Sequence, residues 1–146
     1  MYNDLNKILK KAVLEEEYFN RFYLALAAKI TDKAIKSEMI RIAAEEKLHS
    51  RNLQELSFDP KNFNMNPDVA EEISIAINVQ QKSIESFSNA KDMIAFAIKQ
   101  EILAQMMYNA LMEAAVEDEA KGLFLLLSKE EKKHESMLTL RLGLLQ

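Results

Sequence analysis

A chain of 146 residues, 49% hydrophobic and 29% charged, has the size and apolar content of one packed domain. Two Gly and two Pro exclude the many tight turns of a β-sandwich or barrel, and zero Cys excludes disulfides, thiolate zinc sites, iron–sulfur clusters and rubredoxin-type centres. A net charge of −4 offers no basic footprint for nucleic acid or anionic lipid, and no uncharged apolar run approaches the ~18 residues that span a bilayer.

Richness in Ala, Leu, Ile, Lys, Glu and Met predicts an all-α fold. Met1 to Lys11 carries Asp4, Lys7, Lys10 and Lys11 and has no apolar signal core, so a cytoplasmic location is expected. The first helix follows from a stripe of alternating four- and three-residue steps: Leu5, Leu9, Ala12, Glu16, Phe19, Tyr23, Leu26, Ile30. Thr31 and Asp32 interrupt it, with Asp32 a candidate N-cap, and a second stripe runs Ile35, Met39, Ile42, Glu46, His49, Leu53, Leu56. The short connection predicts an antiparallel hairpin over about residues 3–56.

Both prolines and three asparagines lie in 57–67, so the second helix ends there. Asp68 to Ser83 is ambiguous: Ile73, Ile75, Ile77 and Val79 alternate with period two, whereas Pro67 suits a helix start, and helix is the preferred reading. Its apolar side fits either a crossover packed on the bundle or a surface covered by a second subunit in a homodimer. Ser88 then reads as an N-cap for a third stripe, Ile94, Ala97, Glu101, Ala104, Tyr108, Leu111, Ala115. A cap at Asp118 opens the fourth, Phe124, Leu127, Glu131, His134, Leu138, with Gly143 at its expected end. The methionines, Met106 and Met107 among them, read as packing side chains.

Six residues break these apolar seams: Glu16, Glu46, His49, Glu101, Glu131 and His134. Four inward carboxylates cost several kcal/mol apiece unless protonated, paired or metal-bound, and no cation occupies the stripes. Two divalent ions would balance the four glutamates, with two neutral imidazoles completing the ligand set. The pattern also repeats. Glu16, Tyr23, Glu46 and His49 map onto Glu101, Tyr108, Glu131 and His134 at a constant offset of 85 residues, so the chain is a duplicated helix hairpin. In Glu-x-x-His the two side chains stand one turn apart on the same face. With Glu at 17 of 146 positions, finding it three residues before both histidines has a chance of about one in seventy, which favours ligands over solvated helix residues. Glu45, Lys47, Glu130 and Lys132 fall outward in this phase, and Glu15 and Glu17 fall off the stripe as solvated or supporting groups.

These hairpins resemble the ferritin-like superfamily of carboxylate-bridged di-iron proteins, most closely small rubrerythrin-type domains, over about residues 3–56 and 88–142. The scheme of one Glu from each of two helices and Glu-x-x-His from each of the others is that of the superfamily. The resemblance implies one ferritin-like four-helix bundle with a long crossover over 57–87. It also implies two Fe ions, with Mn or Zn as alternatives. Glu46 and Glu131 would bridge the metals, Glu16 with His49 and Glu101 with His134 would be terminal ligands, and Tyr23 and Tyr108 would hydrogen-bond ligand carboxylates. The implied activity is redox chemistry with O₂ or hydrogen peroxide, of ferroxidase or peroxide-reducing type, with an electron donor that the sequence does not name. Three departures qualify it: Ala104 stands where peroxide-reducing rubrerythrins carry a further Glu, the chain has no Cys for a rubredoxin iron, and Lys47 replaces the haem-ligating Met of bacterioferritins. The alternatives are a non-enzymatic iron or manganese binder, a bundle with structural metal, or an oxidase or oxygenase with an organic substrate beside Ala97 and Ala104.

Overall fold

The computed structural model describes residues 2–57, 59–77 and 82–145. Helix α1 (Tyr2–Ala28) returns along α2 (Lys33–Glu55), and α4 (Ala90–Ala114) returns along α5 (Asp118–Leu144). Between the hairpins the chain forms a 3₁₀ turn at Pro60–Asn62, a short helix α3 (Pro67–Ile77) lying on α4, and a second 3₁₀ turn at Ile84–Ser86. No strand occurs among the described residues, and the bundle is all-α as the composition requires.

The helix starts follow local chemistry. Asp32 caps α2, its carboxylate accepting the Ile35 N–H at 2.9 Å. Asn66 caps α3 by accepting the Val69 N–H at 2.9 Å, and Pro67 takes the first helical position, where its missing N–H costs nothing. The preference for helix holds over Pro67–Ile77, where Val69, Ile73 and Ala76 are buried at helical spacing; Lys82 and Ser83, also expected in it, are not helical, and Val79 lies outside the described residues. Three expected boundaries shift by a residue or two. Asn89, not Ser88, caps α4 by accepting the Asp92 N–H at 2.8 Å; both are capping residue types, and only the backbone decides which turns in. Glu117 is the N-cap of α5 and Asp118 is already helical. Gly143 stays inside α5, which runs to Leu144, because it does not adopt a left-handed φ.

The stripes bury as read, except that Leu56 and Ala104 are half-buried. They form two apolar clusters along the bundle. One joins Leu5, Leu9, Leu53, Leu111, Phe124 and Leu127 to Phe63, Val69 and Ile73 of the crossover; the other joins Phe19, Phe22, Leu26, Ile30, Met39, Met93 and Ile94 to Leu138. Met107 belongs to the first, whereas Met106 is exposed, correcting its reading as packing. The crossover is tied to the α4–α5 turn by the Asn64 N–H to the Ala114 carbonyl (2.6 Å) and the Val116 N–H to the Asn62 carbonyl (2.8 Å). Arg141 holds Glu38 through Nε and Nη2 (2.7 and 2.5 Å), linking α5 to α2.

Candidate metal centre

Between the two apolar clusters the six polar seam residues meet. Glu16, Glu46, His49, Glu101, Glu131 and His134 are each no more than 4% exposed, and they come one from α1, two from α2, one from α4 and two from α5. Their ligand atoms form two groups, Glu16, Glu46, His49 and Glu131, and Glu46, Glu101, Glu131 and His134, with the atoms of each group within 4.8 Å of one another. Glu46 and Glu131 belong to both. The imidazoles face each other with ring centres 6.1 Å apart and planes inclined by 23°.

Each histidine turns Nδ1 inward. His49 Nδ1 lies 3.1 Å from Glu131 Oε1, 3.4 Å from Glu16 Oε2 and 3.6 Å from Glu46 Oε1. His134 Nδ1 lies 3.0 Å from Glu46 Oε1 and 3.6 Å from both Glu101 Oε1 and Glu131 Oε1. The outer nitrogens are held from the opposite hairpin: His49 Nε2 is paired with Glu130, and His134 Nε2 with Glu45 at 2.5 Å. A carboxylate on Nε2 fixes the ring and, in the neutral imidazole, leaves the Nδ1 lone pair for the interior. The phase of the helix correctly puts Glu45 and Glu130 off the seam, but their pairing with the histidines was missed. The available signal was their own 85-residue offset, which makes them partners of the duplicated pattern.

The tyrosines cross the bundle in the same way. Tyr23 O–H donates to Glu101 Oε1 at 2.5 Å, and Tyr108 O–H donates to Glu16 Oε1 at 2.6 Å. Each outer glutamate therefore has one oxygen tied and the other, Oε2, without a partner. Buried atoms lacking a hydrogen bond are Glu16 Oε2, Glu46 Oε1, His49 Nδ1, Glu101 Oε2, Glu131 Oε1 and His134 Nδ1. Every one of the six residues contributes one such atom. Native interiors pair the large majority of their polar groups, so six such atoms converging in one cluster are unusual, and these oxygen and nitrogen donors fit hard or borderline divalent ions.

The electrostatics describe what the protein does without such ions. Burial, reinforced by neighbouring glutamates, pushes Glu46 and Glu131 well above the usual carboxylate range. Burial also works against charge on His49 and His134, but the surrounding carboxylates outweigh it and raise both to about 11. Glu101 is lowered: burial pushes it up, but the close approach of Glu131 and His134 together with the hydrogen bond from Tyr23 prevails. The metal-free cluster thus holds protons where ligands would bind cations.

The cluster continues as a cavity of about 10 Å³ toward the face between α1 and α4. Half-buried Glu15 and Gln100 stand at its rim, and Ala104 lines it while Ala97 is fully buried in the apolar core. Burial, with the adjacent Glu16, raises Glu15 to about 7 despite Lys11. Glu17 instead accepts a 3.4 Å hydrogen bond from Ser50.

The rubrerythrin family model matches residues 7–142, nearly the whole chain and both hairpins. The chain belongs to the rubrerythrin family. No curated protein and no solved structure gives a significant match. Membership agrees with a bundle whose buried Glu/His cluster can hold metal. Among the described residues, no helix of this rubrerythrin-family chain is long and apolar enough to cross a membrane.

Proposed function

We propose that this protein is a dinuclear iron oxidoreductase of the rubrerythrin family that handles O₂ or hydrogen peroxide. The observation that carries the reading is the set of six buried, unpaired donor atoms, one on each predicted ligand, in two overlapping groups. In it, Glu46 and Glu131, which belong to both groups, would be shared by two ions, Glu16 and His49 would hold one, and Glu101 and His134 would hold the other. Two iron ions, when bound, supply two electrons to an oxygen substrate by passing from the ferrous to the ferric state.

The chain's own residues do the rest. Tyr23 and Tyr108 fix the carboxylates of Glu101 and Glu16, and Glu45 and Glu130 fix the imidazoles, so the ligands are oriented before metal arrives. The apolar clusters on both sides keep bulk water from the cluster and limit leakage of reactive oxygen species. The cavity is small, about 10 Å³, which favours O₂ or peroxide over an organic substrate.

The test is metal content per chain after purification without chelator, followed by anaerobic Fe(II) loading and exposure to O₂ or peroxide. Two ions per chain and rapid appearance of ferric–oxo absorption are expected. Failure to take up two ions would overturn the site, and two ions without oxidation would leave a non-enzymatic metal binder.

A further inference from the structure

The duplication gives the α1–α4 cleft two related ends, and the two ends are not alike. At an offset of 85 residues, Phe19 corresponds to Ala104, Phe22 to Met107, and Phe96 to Lys11. At one end the three phenylalanines pack together, with ring centres 5.3 Å apart for Phe19–Phe22, 5.7 Å for Phe22–Phe96 and 6.3 Å for Phe19–Phe96. Phe87 covers Phe96 at 5.1 Å, and Lys82 Nζ lies 5.5 Å over the same ring. That end is sealed. At the other end, a methyl group, a thioether and an exposed lysine stand at the related positions. The cavity extends toward this end, with Ala104, Met107 and Tyr108 along it and Phe19 as its far wall, and it reaches Glu16 and Glu101, whose Oε2 atoms are buried and without a hydrogen-bond partner.

We infer that small ligands reach the metal centre beside Ala104 in the α1–α4 cleft, and that the Ala104 side chain sets the size they can have. This rests on the dinuclear reading above. A methyl at position 104 leaves space beside the carboxylates that the phenyl group of Phe19 fills at the related position. Molecules of two or three heavy atoms pass; larger ones are stopped by Phe19, Met107 and Tyr108. Gly at position 104 is not required for this opening, and a branched or aromatic side chain there would close it by making the ends alike. Ala104 is thus a specificity-determining residue that touches no ligand carboxylate through a hydrogen bond.

The probe is azide, a linear three-atom anion, titrated into the metal-loaded protein by absorption spectroscopy, with metal content measured on the same samples. Ala104→Leu and Ala104→Phe are expected to keep two ions per chain and to weaken azide binding at least 10-fold, Phe more than Leu. Phe22→Leu, which trims the aromatic end at a fully buried side chain that does not line the cavity, is expected to leave azide binding within twofold. Either Ala104 variant holding two ions and binding azide like the parent protein would overturn the inference. If Ala104→Phe does not fold, Ala104→Leu decides. A parent protein that takes up no metal would instead overturn the dinuclear reading, so the two failures are distinct.

Discussion

Tyr23 and Tyr108 each reach from one hairpin to a glutamate of the other, leaving that glutamate one unpaired oxygen. Removing either hydroxyl frees a carboxylate to rotate and strands a buried acceptor. Tyr108→Phe is therefore expected to retain both ions but to weaken metal affinity 10- to 100-fold, by chelator competition. Glu46→Ala and Glu131→Ala act differently, because each removes a member common to both ligand groups. Fewer than two ions per chain are expected in each variant, and two retained ions would refute the bridging role. The six buried polar residues were legible in the sequence because a charged residue on an apolar stripe is costly unless paired. Glu45 and Glu130 were not, since helical phase gives the direction of a side chain and not its reach across to the next helix.

At the scale of elements, the apolar periodicity identified all four long helices, and capping chemistry decided where they start. Asn89 rather than Ser88 satisfies the first turn of α4. Asn89→Ala is expected to cost about 1 kcal/mol in urea unfolding, and Ser88→Ala a few tenths at most. Equal effects would contradict the assignment. The crossover was less legible. Period-two spacing in Ile73, Ile75 and Ile77 suits a strand as well as a helix, and Asn66 with Pro67 tips the balance by starting α3 on α4.

For the whole molecule, the buried cluster couples stability to pH and to metal. Glu46 and Glu131 have folded pKa values raised above the unfolded carboxylate, so their contribution is present at acid pH and lost as pH rises through the folded values. His49 and His134 are raised to about 11, so their contribution is full below the ordinary histidine range and is lost on approach to pH 11. Both have the same sign. Chelated protein is expected to lose melting temperature steadily from pH 5 to pH 9, and a flat profile would count against the inward glutamates. Glu101 and Glu45 are lowered and give the opposite slope, but below the usual carboxylate range. Metal binding at neutral pH is expected to release protons, measured in weakly buffered solution, and to raise the melting temperature, because cations replace protons at the same donor atoms.

The helical class, the duplication and the six inward polar side chains can be read along the chain, because the spacing of apolar residues and the cost of burying charge are local properties. Which residues meet across the bundle follows from the packing of the helices: tyrosines crossed between hairpins, carboxylates on the outer histidine nitrogens, and phenylalanines packed at one end of a cleft that carries Ala104 toward the other. Those features depend on the distance and facing of side chains far apart in sequence, which no periodicity along a single helix encodes.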